Sequence, residues 1–192
     1  MAVSVQKAHL REESLQRRVS ISFEEASRVA LIIQKKLELL PEFVEADRLA
    51  LYAGLGNEVH TDYLFSRALE LQKEVSYPRV DTSIEGGELE FIKVESIDEL
   101  APGLYGVPEP KGSGKVVDAG EFDLIIVPGV VFDTFGARIG YGKGYYDKVL
   151  KGFGCAKAAL AYDMQVLDEP IPTEVHDVNM NVIVTESRVL RF

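Results

Sequence analysis

Leu124 to Leu150, LIIVPGVVFDTFGARIGYGKGYYDKVL, is the stretch on which the reading of this chain turns. It opens on an apolar run of strand type, Leu124-Ile125-Ile126-Val127. Gly136, Gly140, Gly142 and Gly144 then fall within nine residues, with Arg138 and Lys143 threaded between them. Glycine lets the backbone approach a ligand closely. A strand feeding a glycine-rich cationic loop, with a helix to follow, is suited to holding phosphate. Tyr145-Tyr146-Asp147 adds aromatic surface and a carboxylate where that helix starts. The common nucleotide motifs do not fit. A Walker loop needs glycine where Ala137 stands and Ser or Thr where Gly144 stands, and Gly140-Tyr-Gly-Lys-Gly144 is tighter than the dinucleotide repeat. A purely structural loop is the alternative, and the alternating cations and the Tyr-Tyr-Asp tail weigh against it.

The flanking segments supply the rest of the fold. Arg48 to Ala53 is a second short apolar run of strand type, closed by Gly54 and Gly56. Before it, Ser22 and Glu25 form a capping box ahead of Ala26, Val29, Ala30, Ile33 and Leu37, whose spacing predicts an amphipathic helix ended by Pro41. The first twenty residues predict a polar helix with Lys7 and Arg11 on one face. Thr61 is placed to cap a third helix with Leu64, Phe65, Ala68 and Leu69 inward. Glu74 to Pro78 predicts the next strand, in β-α-β order. Glu88 to Val94 predicts another, paired with the segment before Gly86-Gly87. Residues 102–120, rich in proline, glycine and charge, read as a long loop of the kind that carries function. After strand 122–127 and the glycine loop come a helix over Tyr145 to Lys151, strand 156–161 and strand 178–184. This alternation predicts an α/β protein, a single domain over residues 1–192, built as a three-layer αβα sandwich with a mainly parallel, Rossmann-like sheet. Ligands of such sheets bind beyond the carboxyl ends of strands. Both Gly54–Glu58 and the 128–144 loop fall there.

Composition narrows the function. Hydrophobic residues make up 46% of 192, enough for a sizeable core, and no apolar run approaches membrane-span length. The single cysteine, Cys155, cannot pair internally, and its apolar setting predicts an inert thiol in a reducing cytoplasm. The net charge of −10, with no basic tail, argues against nucleic-acid binding. The local distribution differs: Lys7, Arg11, Arg17 and Arg18 cluster near the N-terminus, and Arg138 and Lys143 sit in the glycine loop. That pattern predicts a small anionic ligand. His9, His60 and His176 lack metal-ligand spacing, so surface or structural roles are expected for all three.

With these residues in view, the chain resembles the 5-formyltetrahydrofolate cyclo-ligase family, also called 5,10-methenyltetrahydrofolate synthetase. The family signature runs close to P-G-x-x-F-D-x-x-G-x-R-[LI]-G-x-G-x-G-Y-Y-D. Pro128-Gly129, Phe132-Asp133, Gly136, Arg138-Ile139-Gly140, Gly142 and Gly144-Tyr-Tyr-Asp147 meet it in register. Lys7-x-x-x-Arg11 resembles the family's N-terminal nucleotide-contacting pair, and Tyr52 to Thr61 its substrate segment, with Glu58. Tyr105-Gly-Val-Pro-Glu-Pro110, Gln165, Pro172 and His176-Asp177 extend the match over nearly the whole chain. Tyr141 occupies a variable signature position, and Ala53 a substrate-lining position where side chains differ.

The resemblance implies an ATP- and Mg²⁺-dependent monomeric enzyme of the cytoplasm, acting on a small molecule, with no nucleic-acid or membrane partner. ATP phosphorylates the formyl oxygen of 5-formyltetrahydrofolate, N10 attacks the activated carbon, and phosphate leaves. Lys143 is the implied catalytic cation. Lys7, Arg11, Arg138, Gly140, Gly142, Lys143, Gly144, Tyr145 and Tyr146 are implied at ATP. Ala53, Glu58, Tyr141, Gly142, Lys143, Gly144 and Tyr145 are implied at the folate, and Asp147 and Asp177 at the metal. Taken alone, several of these have plainer readings. Asp147 would be a first-turn helix carboxylate, Lys7 and Arg11 a solvated helix face, Glu58 a cap or surface carboxylate, and Asp177 a turn residue. Two competing functions share the architecture: a sugar-phosphate isomerase or acyl-CoA transferase type of enzyme, and a non-catalytic nucleotide-binding module. The Gly-Tyr-Tyr-Asp tail and the N-terminal Lys-x-x-x-Arg discriminate against the first. Intact Lys143, Asp147, Asp177 and Glu58 discriminate against the second.

Overall fold

The computed structural model of the protein describes residues 2–192. Its helices are α1 (Val3–Val19), α2 (Phe23–Glu38), α3 (Pro41–Val44), α4 (Asp62–Glu70) and α5 (Tyr145–Val149). Its strands are β1 (Arg48–Ala50), β2 (Glu74–Asp81), β3 (Glu88–Lys93), β4 (Leu100–Pro102), β5 (Pro108–Pro110), β6 (Val116–Val117), β7 (Leu124–Val127), β8 (Val131–Asp133), β9 (Arg138–Ile139), β10 (Ala156–Leu160), β11 (Val166–Leu167), β12 (Val182–Val184) and β13 (Val189–Arg191). Eight strands form one sheet in the order β13-β12-β10-β7-β1-β2-β3-β6. The five from β12 to β2 are mutually parallel; β13 and β3 run antiparallel to them on either side, and β6 pairs antiparallel with β3 at the edge.

Burial explains why the inner strands read as unbroken apolar runs. Leu124 and Ile126 of β7 enter one core layer with Leu49, Val75, Ala158 and Val182, while Ile125 and Val127 enter the other with Ala50, Ala159 and Ile183. With both faces covered, there is no polar alternation to see. The first layer is closed by α2, through Ala26, Val29, Ala30, Ile33 and Leu37, and by Leu64, Phe65 and Ala68 of α4. The second is closed by short α5, the turn Leu150–Gly152 and a Phe91, Phe122 and Phe153 cluster. The mainly parallel α/β architecture is as expected, with one helical layer thin.

Chain order places the site. From β1 the chain passes through α4 to β2 on one side, and from β7 through α5 to β10 on the other. Strand order therefore reverses between the adjacent strands β1 and β7. A crevice opens outside the carboxyl ends at such a point, and the segments 51–61 and 128–144 both emerge into it.

Several expectations need correction. Residues 102–120 are not one loop, because β4 and β5 pair as an antiparallel ribbon and β6 joins β3. Its prolines sit at ribbon ends, facing each other as Pro102 and Pro108, where a missing N–H breaks little. The glycine-rich stretch is also not one loop. β8 and β9 form a hairpin within it, turning at Gly136 and extended by β11 into a three-stranded sheet. Strand 178–184 shortens to β12, because the Met180 N–H turns to the Gly136 carbonyl at 2.8 Å. Strand β13 follows with no expectation attached. The expected helix over Tyr145 to Lys151 is a five-residue α-helix continued by a 3₁₀ turn. Pro41 starts α3 two residues after the C-cap of α2, consistent with proline's fitness for a first helical turn. Ser22 caps α2 through the Glu25 N–H, but the box is not reciprocal: the Glu25 carboxylate takes Arg28 instead. Thr61 does not cap α4 through its side chain, since its hydroxyl donates to the Tyr52 carbonyl at 2.6 Å.

Candidate active site

A cavity of about 670 Å³ fills the crevice between the ends of β1 and β7, and every site residue expected from the sequence lines it. The cations come from two directions. Lys7 and Arg11 descend from α1, and Lys143 rises from the loop between β9 and α5. Gly142 has φ +92°, which L side chains rarely adopt, and a Cβ there would meet the Arg11 guanidinium at 3.3 Å. Absence of a side chain thus lets Arg11 lie on the loop, where its Nε donates to the Gly140 carbonyl at 2.8 Å.

Lys143 and Arg138 differ in kind. Lys143 is exposed, with its amine 5.2 Å from the centre of the Tyr105 ring and no carboxylate paired with it among the described residues. Arg138 is buried, its side chain only 3% exposed, and its guanidinium donates to the Pro128 carbonyl at 3.1 Å and to Asp147 Oδ1 at 2.7 Å. It acts as a strut beneath the loop. Its Nε is buried without a partner, so the strut is incompletely satisfied.

The two carboxylates expected at a metal each hold a cation through one oxygen. Asp147 Oδ1 takes Arg138, and Asp177 Oδ2 takes Lys7 at 2.5 Å and the Glu174 N–H at 2.7 Å. In each, the second oxygen has no hydrogen bond among the described residues. Hard oxygen donors left over in a cavity shared with four cations suit a magnesium–polyphosphate ligand. Burial alone would push the Asp177 carboxyl up, but hydrogen bonds from Lys7 and the Glu174 backbone hold it below the ordinary value. Burial likewise opposes the charge on Lys7, which the bonds to Asp177 and Glu174 outweigh, so its amine titrates higher than usual. His176, for which a surface or structural role is expected, is exposed at the cavity edge, with donor atoms of Glu174, His176 and Asp177 all within 4.8 Å of one another. Sequence spacing hides this group because a turn, not a helix or strand, gathers it.

Glu58 occupies the opposite end. It is 7% exposed; Oε2 accepts from the Leu55 N–H and Oε1 from the Tyr141 hydroxyl, both at 2.8 Å. Burial, then the nearby Glu58 charge, pushes the Tyr141 hydroxyl up to about 12. Ala53 lines the wall nearby, and Tyr146 lies under the loop with its hydroxyl pushed up by burial and Arg138 5.9 Å from its ring centre. The neighbouring Tyr105 raises the Tyr145 hydroxyl above its ordinary value.

Sequence reasoning missed the apolar lobe of the cavity, formed by Pro78, Val80, Leu89, Leu104 and Val107 with Tyr105. Tyr105 has φ 59°, an unusual conformation for a tyrosine, held between Gly103 and Gly106. Positive φ in a non-glycine residue leaves no mark in the sequence beyond the flanking glycines.

A family model described as the 5-formyltetrahydrofolate cyclo-ligase family matches residues 3–186. A probable 5-formyltetrahydrofolate cyclo-ligase of Caenorhabditis elegans is 31% identical over 100% of this chain and 98% of its own length. The 5-formyltetrahydrofolate cyclo-ligase of Escherichia coli K12 is 28% identical, over 91% of this chain and 97% of its own. Among solved structures, Aquifex aeolicus 5,10-methenyltetrahydrofolate synthetase superposes with a TM-score of 0.84 at 37% identity, covering 96% of this chain and 92% of that one. The Mycoplasma pneumoniae synthetase gives 0.75 at 28% identity, covering 94% and 98%.

Proposed function

The chain belongs to the 5-formyltetrahydrofolate cyclo-ligase family, and on that premise we propose that it cyclises 5-formyltetrahydrofolate to 5,10-methenyltetrahydrofolate at the expense of ATP and with Mg²⁺. In the proposed reaction the formyl oxygen attacks the terminal phosphorus of ATP and ADP departs. N10 then adds to the formyl carbon and gives up its proton, and the carbon–oxygen bond breaks to release phosphate. The oxygen leaves with the phosphate, so the balance closes on one ADP and one phosphate per methenyl group.

Phosphoryl transfer asks a protein chiefly for positioning and charge neutralisation. Lys143 is the residue we assign to the transferring group, because its amine is the one site cation with neither a carboxylate partner nor a hydrogen bond among the described residues, whereas Lys7 and Arg138 hold carboxylates and Arg11 holds the Gly140 carbonyl. That observation carries the reading. Lys7 and Arg11 approach the other phosphates from α1, the loop from Gly140 to Gly144 offers backbone amides, and Arg138 holds Asp147. Magnesium, when bound, supplies charge neutralisation between phosphates, and Asp147 and Asp177 would hold it through their remaining oxygens. Glu58 is assigned to the N–H groups of the pterin ring, and Ala53, Tyr141 and Tyr145 to its surroundings. The gathering of Lys7, Arg11, Arg138 and Lys143 in one cavity of an acidic protein supports a small anionic ligand rather than nucleic acid. No helix among the described residues is long and apolar enough to cross a membrane. A monomeric, cytoplasmic enzyme is part of the same proposal.

The test is to mix the protein with MgATP and 5-formyltetrahydrofolate. The expected result is the methenyl chromophore with one ADP per product, no product without ATP, and slow ATP consumption without folate. Chromophore without nucleotide, or equal ATP consumption without folate, refutes it.

A further inference from the structure

Helix α1 presents to the protein a face made of Lys7, Arg11, Ser14 and Arg18, spaced so that all four lie on one side. Lys7, Ser14 and Arg18 are buried there. Each finds a polar partner: Lys7 on Glu174 and Asp177, Arg11 on the Gly140 carbonyl, Ser14 on the Val130 carbonyl at 2.7 Å, and Arg18 on the Tyr141 hydroxyl. The proposed reaction has a use for Lys7 and Arg11 but none for Arg18.

Arg18 lies three turns along the helix from Lys7, about 16 Å away by helical rise. Its side chain and that of Glu58 are each 8% exposed, and Arg18 Nη1 is 3.8 Å from Glu58 Oε1. The Tyr141 hydroxyl stands between them, accepting from Arg18 Nη2 and donating to Glu58 Oε1. A hydroxyl that accepts from a cation is polarised to donate more strongly. A buried guanidinium and a buried carboxylate persist only with such partners. The carboxylate of Glu58 has about four lone-pair sites, so the Leu55 N–H and the Tyr141 hydroxyl fix its orientation and still leave room for a ligand. The Asn57 side chain bonds the Arg18 and Ile21 carbonyls, tying the end of α1 to the Glu58 segment.

We propose that Arg18 is a positioning residue for Glu58, acting through the Tyr141 hydroxyl, and that it couples the Glu58 end of the cavity to the nucleotide end through α1. The proposal rests on the folate and ATP assignments above. A nucleotide gripped by Lys7 and Arg11 requires α1 docked, and a ligand on Glu58 requires the orientation that the same docked helix sets. Two ligands that favour one state strengthen each other by the same factor.

Calorimetric titration with 5-formyltetrahydrofolate, with and without Mg²⁺ and the β,γ-imido analogue of ATP, measures that factor. The wild-type protein should bind the folate at least about fivefold tighter with the analogue present. Arg18→Met keeps the stem and removes the fork; the ratio should fall toward one, with KM for folate raised and kcat at saturation nearly kept. Arg18→Lys should restore part of the ratio. Tyr141→Phe keeps the ring and deletes the hydroxyl, and it should lower the ratio even if Arg18→Met does not fold. A wild-type ratio of one, or an unchanged ratio in Tyr141→Phe and in every folded Arg18 variant, overturns the proposal. A wild-type protein that makes no methenyl product from folate and MgATP overturns instead the reading of the reaction.

Discussion

The centre of the sheet and the inner face of α1 are both buried, yet they are held by opposite means. Leu49, Leu124, Ile125 and Ile126 are fully shielded and contribute by leaving water, at about 1.5–3 kcal/mol for each large side chain. That contribution has no direction, so any well-packed apolar side chain of similar size serves nearly as well. Lys7, Ser14 and Arg18 are almost as shielded, but each depends on a specific oxygen at a specific place. Leu10 and Leu15 of α1 make only a partly buried contact with the small cluster around Val130 and Ile139. The fold therefore rests on apolar layers, and the site is closed by a helix docked largely through charge and hydrogen bonds. Damage to the first should appear as lost stability, and damage to the second as lost binding or turnover.

The contrast is broken most directly in the core. Leu124→Ala should cost about 2–5 kcal/mol in denaturant unfolding and leave KM values unchanged in whatever fraction stays folded. A loss below about 1 kcal/mol would mean the sheet centre repacks freely. Next in size is Lys143→Ala, where the effect should move wholly to the chemistry. Turnover should fall more than about tenfold, equivalent to about 1.4 kcal/mol of barrier, with no change in the unfolding midpoint. Retention of more than about a tenth of wild-type kcat removes Lys143 from the catalytic role. Gly142→Ala should fall between the two classes. Its φ of +92° is strained for alanine and its Cβ would press on Arg11, so a cost of at least about 1 kcal/mol should come with weaker nucleotide binding by calorimetry. Strain without weaker binding would detach Arg11 from the nucleotide.

The same contrast explains what the sequence could and could not tell. Apolar runs such as Leu124 to Val127, and the helical spacing of Ala26, Val29, Ile33 and Leu37, record local burial directly, so the parallel sheet and the main helices were legible. Pairings between distant residues leave no local pattern. Lys7 meets a carboxylate 170 positions away, and only the family motif brought them to one site. Arg138 was legible as a cation in a glycine loop but not as a buried strut, because its partners, the Pro128 carbonyl and Asp147, are set by the β8–β9 hairpin. That hairpin itself was hidden: its strands of two and three residues are too short to show a period. Tyr105 is legible within a motif, yet its left-handed backbone and its seat beside Lys143 depend on a ribbon whose sequence has the composition of a loop.

The smallest expected effect tests whether charge docks α1 at all. Asp177 titrates below the ordinary carboxylate value in the folded protein: burial opposes this, and the bonds from Lys7 and the Glu174 backbone overcome it. A depressed carboxyl stabilises the fold above its unfolded value, near 3.9, and that contribution is lost as pH falls through the folded value. Lys7 is shifted the other way, upward, so its contribution is complete below the ordinary lysine value, near 10.4, and is lost as pH rises through the folded one. The pair should therefore act at full strength between about pH 5 and pH 10. Because desolvation offsets most of the attraction and Asp177→Asn leaves Lys7 with Glu174, the variant should lose only about 1 kcal/mol, or roughly 2–4 °C of Tm at this chain length. Without nucleotide or metal, the Tm gap between wild type and Asp177→Asn should stay level across that window and close below about pH 4. A gap that persists unchanged to pH 2 would mean that it does not come from the charge on Asp177, and that α1 is docked by its leucines rather than by its charges.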